Sequence, residues 1–294
     1  MRHQVSLCAV TLFCVFYLAH DAVAQSIASD PQDKSGYNLF RRTPDELLRE
    51  LITDRPDKTE SPYTVDAGHY QLEMDLLSCT FDRPEVEGTR QSVRTFAIAP
   101  INLKVGLLNN TDLQIVAQTY YIQRTRDGDA NTPDVISGFG DVLVRLKTNL
   151  WGNDRGSTAF GLMPFVKFPT NQHHLGNRAL EGGIIFPLAI KLPREWELGA
   201  MTELDYLQNS AGSDYHEEFI NSVTVGHSII GELAGYLEFF SAVSTEGTAD
   251  WIGTFDFGFT YKVTANFQLD AGMNVGVTRS AENLNPFIGF SVRY

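Results

Sequence analysis

The chain has 294 residues, with Lys+Arg 23 against Asp+Glu 36 and a formal net charge of −13. Hydrophobic residues make up 43% and charged residues 20%, with 24 Gly and 12 Pro, which excludes collagen-like, low-complexity and disordered classes. The acidic balance argues against a nucleic-acid partner, which needs a basic footprint. The single long apolar run sits at the N-terminus and excludes a polytopic helical membrane protein.

Arg2 and His3 precede an apolar run from Val5 to Ala19, interrupted only by Ser6 and Thr11, and Ala22-Val23-Ala24 follows as a small-x-small site. This pattern predicts a secretory signal peptide over residues 1–24. The run is short for a spanning helix, which needs about 20 apolar residues. Neither Cys8 nor Cys14 has the context of a lipoprotein signal. Cleavage after Ala24 leaves 294 − 24 = 270 residues and one cysteine, Cys79, so no intrachain disulfide forms. A lone cysteine reads as a small buried hydrophobe.

Residues 25–62 form a separate N-terminal segment. Thr43-Pro44-Asp45-Glu46 reads as a helix start, with Thr43 as N-cap, Pro44 at the first helical position and acids in the first turn. Leu47, Leu48, Leu51 and Ile52 supply an apolar stripe at helical spacing, and Asp54-Arg55-Pro56-Asp57 and Ser61-Pro62 break it. A short periplasmic helix under a barrel mouth, as plug or lid, and a mobile tail both fit this pattern.

From residue 63 to 294 a period of two takes over. Tyr70, Leu72, Met74 and Leu76 alternate with His69, Gln71, Glu73 and Asp75; Phe255, Phe257, Phe259 and Tyr261 alternate with Thr254, Asp256, Gly258 and Thr260. Twelve such segments are predicted, at 64–78, 91–104, 111–124, 138–151, 157–168, 181–192, 196–208, 217–228, 231–243, 251–263, 266–278 and 285–294. Their connections alternate between short and long, as in an outer-membrane barrel with tight turns on one side and longer loops on the other. A soluble β-sandwich also alternates, but its strands are usually about 5–6 residues long. These segments are long enough to cross a bilayer at a tilt. Aromatics collect toward strand ends, among them Tyr120, Tyr121, Trp151, Phe168, Trp196, Tyr206, Trp251 and Tyr261, as interfacial girdles require. The last strand, with Ile288, Phe290, Val292 and Tyr294 alternating with Gly289, Ser291 and Arg293, ends the chain on an aromatic. It is similar to the final strand that the barrel insertion machinery recognises. The expected fold is all-β, a transmembrane antiparallel barrel of about 12 strands in outer-membrane lipid.

Thr53-Asp54-Arg55-Pro56-Asp57, Glu60-Ser61-Pro62, Gly68-His69-Tyr70-Gln71-Leu72-Glu73, Ser137-Gly138-Phe139-Gly140-Asp141 and Lys167-Phe168-Pro169-Thr170 occur in that order. Together they resemble the outer-membrane transporter family named for the meta-pathway of phenol degradation, over roughly residues 40–294. Asn171 departs from the glycine expected after Pro169-Thr170. The resemblance implies passage of small, hydrophobic or aromatic compounds across the bacterial outer membrane.

The chemistry of other classes is weakly represented. A membrane-embedded hydrolase needs a serine and a histidine within reach of each other. His227 and Ser228 are adjacent, which points them to opposite faces of a strand, and no Gly-x-Ser-x-Gly elbow is present. His173, His174 and His216 lie in loops and lack the fixed set of three or four ligands a zinc site requires. No nucleotide-binding loop is present, and no cofactor, catalytic or metal site is expected. The wet face is the informative one. In this phase Glu73, Asp75, Asp141, Glu181, Glu197, Glu203, Asp205, Glu238, Asp256 and Asp270 point inward, with Arg145, Lys147, Lys167 and Arg293. Such charges either line a selective pore or pair off to fill a narrow lumen. Glu203 and Asp205 against Arg145 and Lys147 is the first network the sequence suggests. The functional expectation is a channel for small compounds; the alternatives are a filled, non-conducting surface barrel and, further off, an outer-membrane hydrolase.

Overall fold

The computed structural model describes residues 33–86, 88–128, 132–247 and 250–294. The expected signal peptide, with Cys8 and Cys14, lies outside the described residues.

Twelve antiparallel strands close into a barrel. They are β1 (Tyr70–Asp82), β2 (Thr89–Ile98 continued by Ile101–Leu108), β3 (Thr111–Ala117 continued by Tyr120–Asp127) and β4 (Asp134–Gly138 continued by Val142–Trp151). Then follow β5 (Thr158–Phe168), β6 (Glu181–Leu192), β7 (Trp196–Gln208), β8 (Tyr215–Ile230), β9 (Leu233–Ser244), β10 (Ile252–Thr264), β11 (Phe267–Gly276) and β12 (Leu284–Arg293). A two-residue strand, Glu85–Val86, folds back on β2 beyond β1. The last strand pairs with the first, Gln71 opposite Arg293 and Met74 opposite Phe290. Tyr70 and Tyr294 exchange backbone hydrogen bonds of 3.1 and 2.8 Å at the end of the seam. Closure removes the unpaired edge that an open sheet exposes.

The predicted alternation is real but inverted relative to a water-soluble protein. Leu237 is 56% exposed on the outside while its neighbour Glu238 is 2% exposed; Phe255 and Phe257 flank Asp256, which is fully buried. Apolar side chains thus coat the outside and the charged ones fill the inside. The inner wall is not uniformly polar, however. Met163, Phe165, Ile185 and Met201 form a buried apolar cluster inside β5–β7, with Leu143, Ile220 and Phe240 packed against it.

Two local departures matter for the interior. β2, β3 and β4 each break at mid-height, at Ala99-Pro100, Gln118-Thr119 and Phe139-Gly140-Asp141. Above its break, β4 pairs with β3 only, and loop 169–180 covers the other edge: Gln172 N donates to the Phe139 carbonyl at 2.9 Å. The second departure is a correction. The helix expected from Thr43 is absent; Asp45–Leu47 is a single 3-10 turn, Leu48 is extended, and Pro44 rather than Thr43 stands at the cap position. Backbone groups along this stretch are instead satisfied by side chains of the hairpin and of the barrel wall. Arg49 N donates to Asp66, Asp54 N to Glu73, and the Ile52 carbonyl accepts from Gln71. A helix nucleus is costly to form, so these outside partners win in so short a stretch.

Candidate functional site

Residues 33–69 close the short-turn end of the barrel and send a hairpin, residues 50–66, up into its lumen. The base is fixed first. Thr43 N donates to the Ala67 carbonyl at 2.9 Å and Gly68 N to the Gly106 carbonyl at 2.8 Å. Arg49 reaches Asp154 in the β4–β5 turn at 3.0 Å and Asp66 at 3.3 Å, and Arg293 donates to the Arg49 carbonyl at 2.7 Å. Gly106 is required here, because a Cβ would stand 2.1 Å from the Asp66 carbonyl oxygen.

On one side the hairpin is bonded to β1–β4 at every level. Asp54 accepts from Lys104 at 2.5 Å and from Lys147 at 2.6 and 2.8 Å. Glu73 pairs with Lys104 and accepts from Gln71 at 2.8 Å. Lower down, Val65 N donates to Asp112 at 2.9 Å and Asn149 to the Pro62 carbonyl at 2.9 Å. Buried charges of this kind persist only when each has a hydrogen-bonded partner, and here the partners are shared between wall and hairpin. At the tip, Arg55 bridges Asp75 and Asp270, both at 2.6 Å, beneath the Phe287 ring. Lys58 reaches Asp256 at 3.1 Å and lies over the Phe240 ring. The backbone N–H groups of Lys58 and Thr59 donate to Glu238 at 2.9 and 2.7 Å, and Glu60 pairs with Arg145.

Below that tip the hairpin stands off from most of the opposite wall, held to β10 and β11 by the Lys262–Glu50 pair and by Gln268, which donates to Thr53 at 3.2 Å. A cavity of about 700 Å3 lies between it and β6–β11. Its wall combines small residues such as Ala189, Gly199, Gly226 and Ala234 with larger ones such as Ile190, Leu198 and Tyr236; the hairpin presents Pro56, Asp57 and Tyr63.

The charges named from the sequence divide into two groups. Glu73, Asp75, Arg145, Lys147, Glu238, Asp256 and Asp270 hold the hairpin, as above. Lys167 lies nearer the long loops, 3.5 Å from Glu181 and 3.9 Å from Asp141. Asp205 is buried in that region, beside Glu203. Asp141 is a loop staple, accepting from the Asn171 side chain at 2.7 Å and from Asn177 N at 2.8 Å. Glu197 is exposed near the short-turn rim. The suggested pairing of Glu203 and Asp205 with Arg145 and Lys147 is not the one formed: Arg145 goes to Glu60 and Lys147 to Asp54. Sequence reasoning compared strands with strands and left out the hairpin, which supplies both partners. It also passed over Lys104, Asp112, Gln114 and Tyr236. The dense charged run from Asp54 to Glu60 was the available signal. His227 rests on the Trp196 ring, with 4.4 Å between centroids.

This architecture has counterparts. The model of the family described as "Putative MetA-pathway of phenol degradation" matches residues 53–294, from the hairpin tip through the last strand. The chain belongs to this family. Among solved structures, the COG4313 outer membrane channel from Pseudomonas putida F1 superposes with a TM-score of 0.57 at 15% identity, covering 83% of this chain and 100% of that one. The NanC porin gives 0.49 at 10% identity, over 74% of this chain and 98% of that one. No curated protein sequence matches. The family match begins at Thr53, so the hairpin tip belongs to the family's shared segment along with the strands.

Proposed function

We propose that this protein is an outer-membrane channel that passes small compounds with apolar or aromatic bodies. The observation that carries the reading is the inverted barrel with a cavity beside its hairpin. Apolar side chains such as Leu237 and Phe255 face outward where water would penalise them, which suits lipid. Inside, the hairpin constricts the lumen but stands off from the β6–β11 wall. The passage runs along that gap, whose lining includes the apolar Pro56, Ile190 and Leu198. An interior with both charged and apolar surface suits solutes that have both kinds of surface. The similarity to a solved outer membrane channel supports the architecture on which this rests. On this reading the short turns face the periplasm and the closing strand that ends at Tyr294 is the element presented to the barrel insertion machinery.

The test is single-channel conductance in planar bilayers of the wild-type barrel and of Asp54→Ala, which loosens the hairpin. Discrete steps in the wild type, larger in the variant, are expected. Silence from heat-modifiable, folded barrel in both proteins overturns the channel and leaves a filled surface barrel.

A further inference from the structure

One sector of the outer wall is basic. Above their breaks, β2 and β3 pair Arg94 opposite Arg124 and Ser92 opposite Arg126, and β1 sets Phe81 opposite Arg94. Directly opposed residues share one face of a sheet. Leu77 opposite Ile98 and Ile98 opposite Tyr120 mark this as the outer face, since all three are exposed while Ala97 on the other face is buried. Arg94, Arg124 and Arg126 are exposed, and their guanidinium groups have no ion pair or hydrogen bond among the described residues. Arg124 lies over the Phe96 ring, 5.8 Å from its centroid, and further out Arg90 stands opposite Glu85.

Like charges directly opposite one another destabilise a sheet. The chain as a whole is acidic, with a net charge of −13, so composition does not bring arginines together here. Arg94 and Arg124 oppose each other at a cost to the barrel alone, and an anion between them removes that cost. The sector is local: on β7 and β8, near the same end, the outer pair is Tyr206 and Glu217. Height narrows the anion. On β1, Tyr70 lies at the short-turn end, and Phe81, opposite Arg94, is eleven residues further along. At about 3.3 Å per residue and a tilt of about 40°, that is about 28 Å along the barrel axis, against an apolar belt of about 25 Å. Arg94 and Arg124 therefore stand just above the apolar belt at the long-loop end, at the depth of lipid phosphates.

We infer that Arg94, Arg124 and Arg126 bind the phosphate groups of a phosphorylated glycolipid in the outward leaflet, the lipid A type of headgroup. A guanidinium fork donates two parallel hydrogen bonds to a phosphate, and basic clusters at the edge of the apolar belt recognise lipid headgroups in this way. The phosphate supplies the negative charge between Arg94 and Arg124, and the acyl chains lie below it on Phe96, Ile98, Tyr120 and Ile122. Arg126, two residues further out than Arg124, reaches more of the headgroup than a single phosphate. The assignment rests on the orientation proposed above, long loops outward, and not on whether the barrel conducts.

The test is native mass spectrometry and thermal unfolding of the folded, full-length mature barrel in a neutral detergent. The probes are bis-phosphorylated lipid A, its dephosphorylated form and phosphatidylglycerol. A retained lipid A adduct and a higher Tm with lipid A, and with neither of the others, are expected. The triple variant Arg94→Gln, Arg124→Gln, Arg126→Gln should bind lipid A about tenfold more weakly or worse, the loss of at least one charge-assisted hydrogen bond. Without lipid it should unfold no earlier than wild type, because it removes opposed like charges. Arg178→Gln, in loop 169–180, should bind as wild type does. No lipid A adduct, equal binding by the folded triple variant, or equal binding of either other lipid would overturn the site. Should the triple variant fail to fold, Arg94→Gln alone takes its place, with several-fold weaker binding expected and unchanged affinity overturning the site. Lipid A held by a barrel that carries no current would keep this site and remove the channel; current from a barrel that binds no lipid A would do the reverse.

Discussion

The two sides of the inner wall treat the N-terminal hairpin differently. β1–β4 grip it from the short-turn end to the tip, through Asp112, Asn149, Lys147, Lys104 and Glu73, all of them buried. β6–β11 touch it at the tip, through Glu238, Asp256 and Asp270, and at the edge of the cavity through Gln268 and Lys262, but elsewhere stand off across that cavity. The gripping side is also the side whose strands break at mid-height, whereas β6–β8 run unbroken. The difference teaches that one wall is built to hold and the other to leave room. Lys104 and Lys147 stand where they have a partner on the hairpin, while Gly199, Gly226 and Ala234 stand where the hairpin is absent.

Breaking the grip should have the largest effect. Asp54→Ala leaves Lys147 without its carboxylate and Lys104 with Glu73 alone. Loss of one partner from a buried ion pair costs about 3–5 kcal/mol, and equilibrium urea unfolding in micelles should show a loss of that order. Arg145→Met strands Glu60 at the tip. The expected loss is smaller, about 1–3 kcal/mol, the cost of an unsatisfied buried polar group. A stability equal to wild type would show that the tip is not held by this pair.

The base of the hairpin offers a pH test. Burial works against the Asp154 carboxylate, but hydrogen bonds from Lys34 and Asn109 and the nearby Arg49 guanidinium outweigh it and hold its pKa below the usual 3.8. A depressed carboxylate adds stability above its unfolded pKa and loses it as pH falls through the folded one. Wild type should therefore lose more stability between pH 6 and pH 3 than Asp154→Asn, by at most about 1 kcal/mol, the range of part-exposed pairs. The smallest change in stability should come from the roomy wall. At Gly226 an added Cβ would meet nothing nearer than the Gly235 carbonyl at 3.8 Å. Gly226→Leu should stay within about 0.5 kcal/mol of wild type, as substitutions free of packing conflict do, while lowering single-channel conductance. Unchanged conductance would move the passage away from this gap.

Much of the fold was legible because it rests on a local rule. A period of two needs only neighbouring residues, and long stretches such as Phe255–Tyr261 keep it without a break. Where both faces are apolar the rule gives no side, which is why the inner cluster of Met163 and Phe165 on β5 was not foreseen. Thr43-Pro44-Asp45-Glu46 is a good helix start in isolation, yet Asp66 and Gln71, distant in sequence, claimed the Arg49 N–H and the Ile52 carbonyl that a helix would have used. Tyr236 reads in sequence as one more aromatic; its unpartnered hydroxyl exists only in three dimensions.

The amino-acid sequence by itself determined the strand count, the alternation of short and long connections, the apolar outer face and the inward direction of charges such as Glu73 and Asp256. Each depends on contacts within a strand or across one turn. Only the tertiary structure decided the partners of those charges and the position of the cavity. The partners come from a segment 19 to 215 residues away along the chain, as Asp54 to Glu73 and Arg55 to Asp270 show. No local pattern encodes which lumen carboxylate a distant lysine or arginine will meet, because that is set by barrel closure and by the path of the hairpin through the lumen.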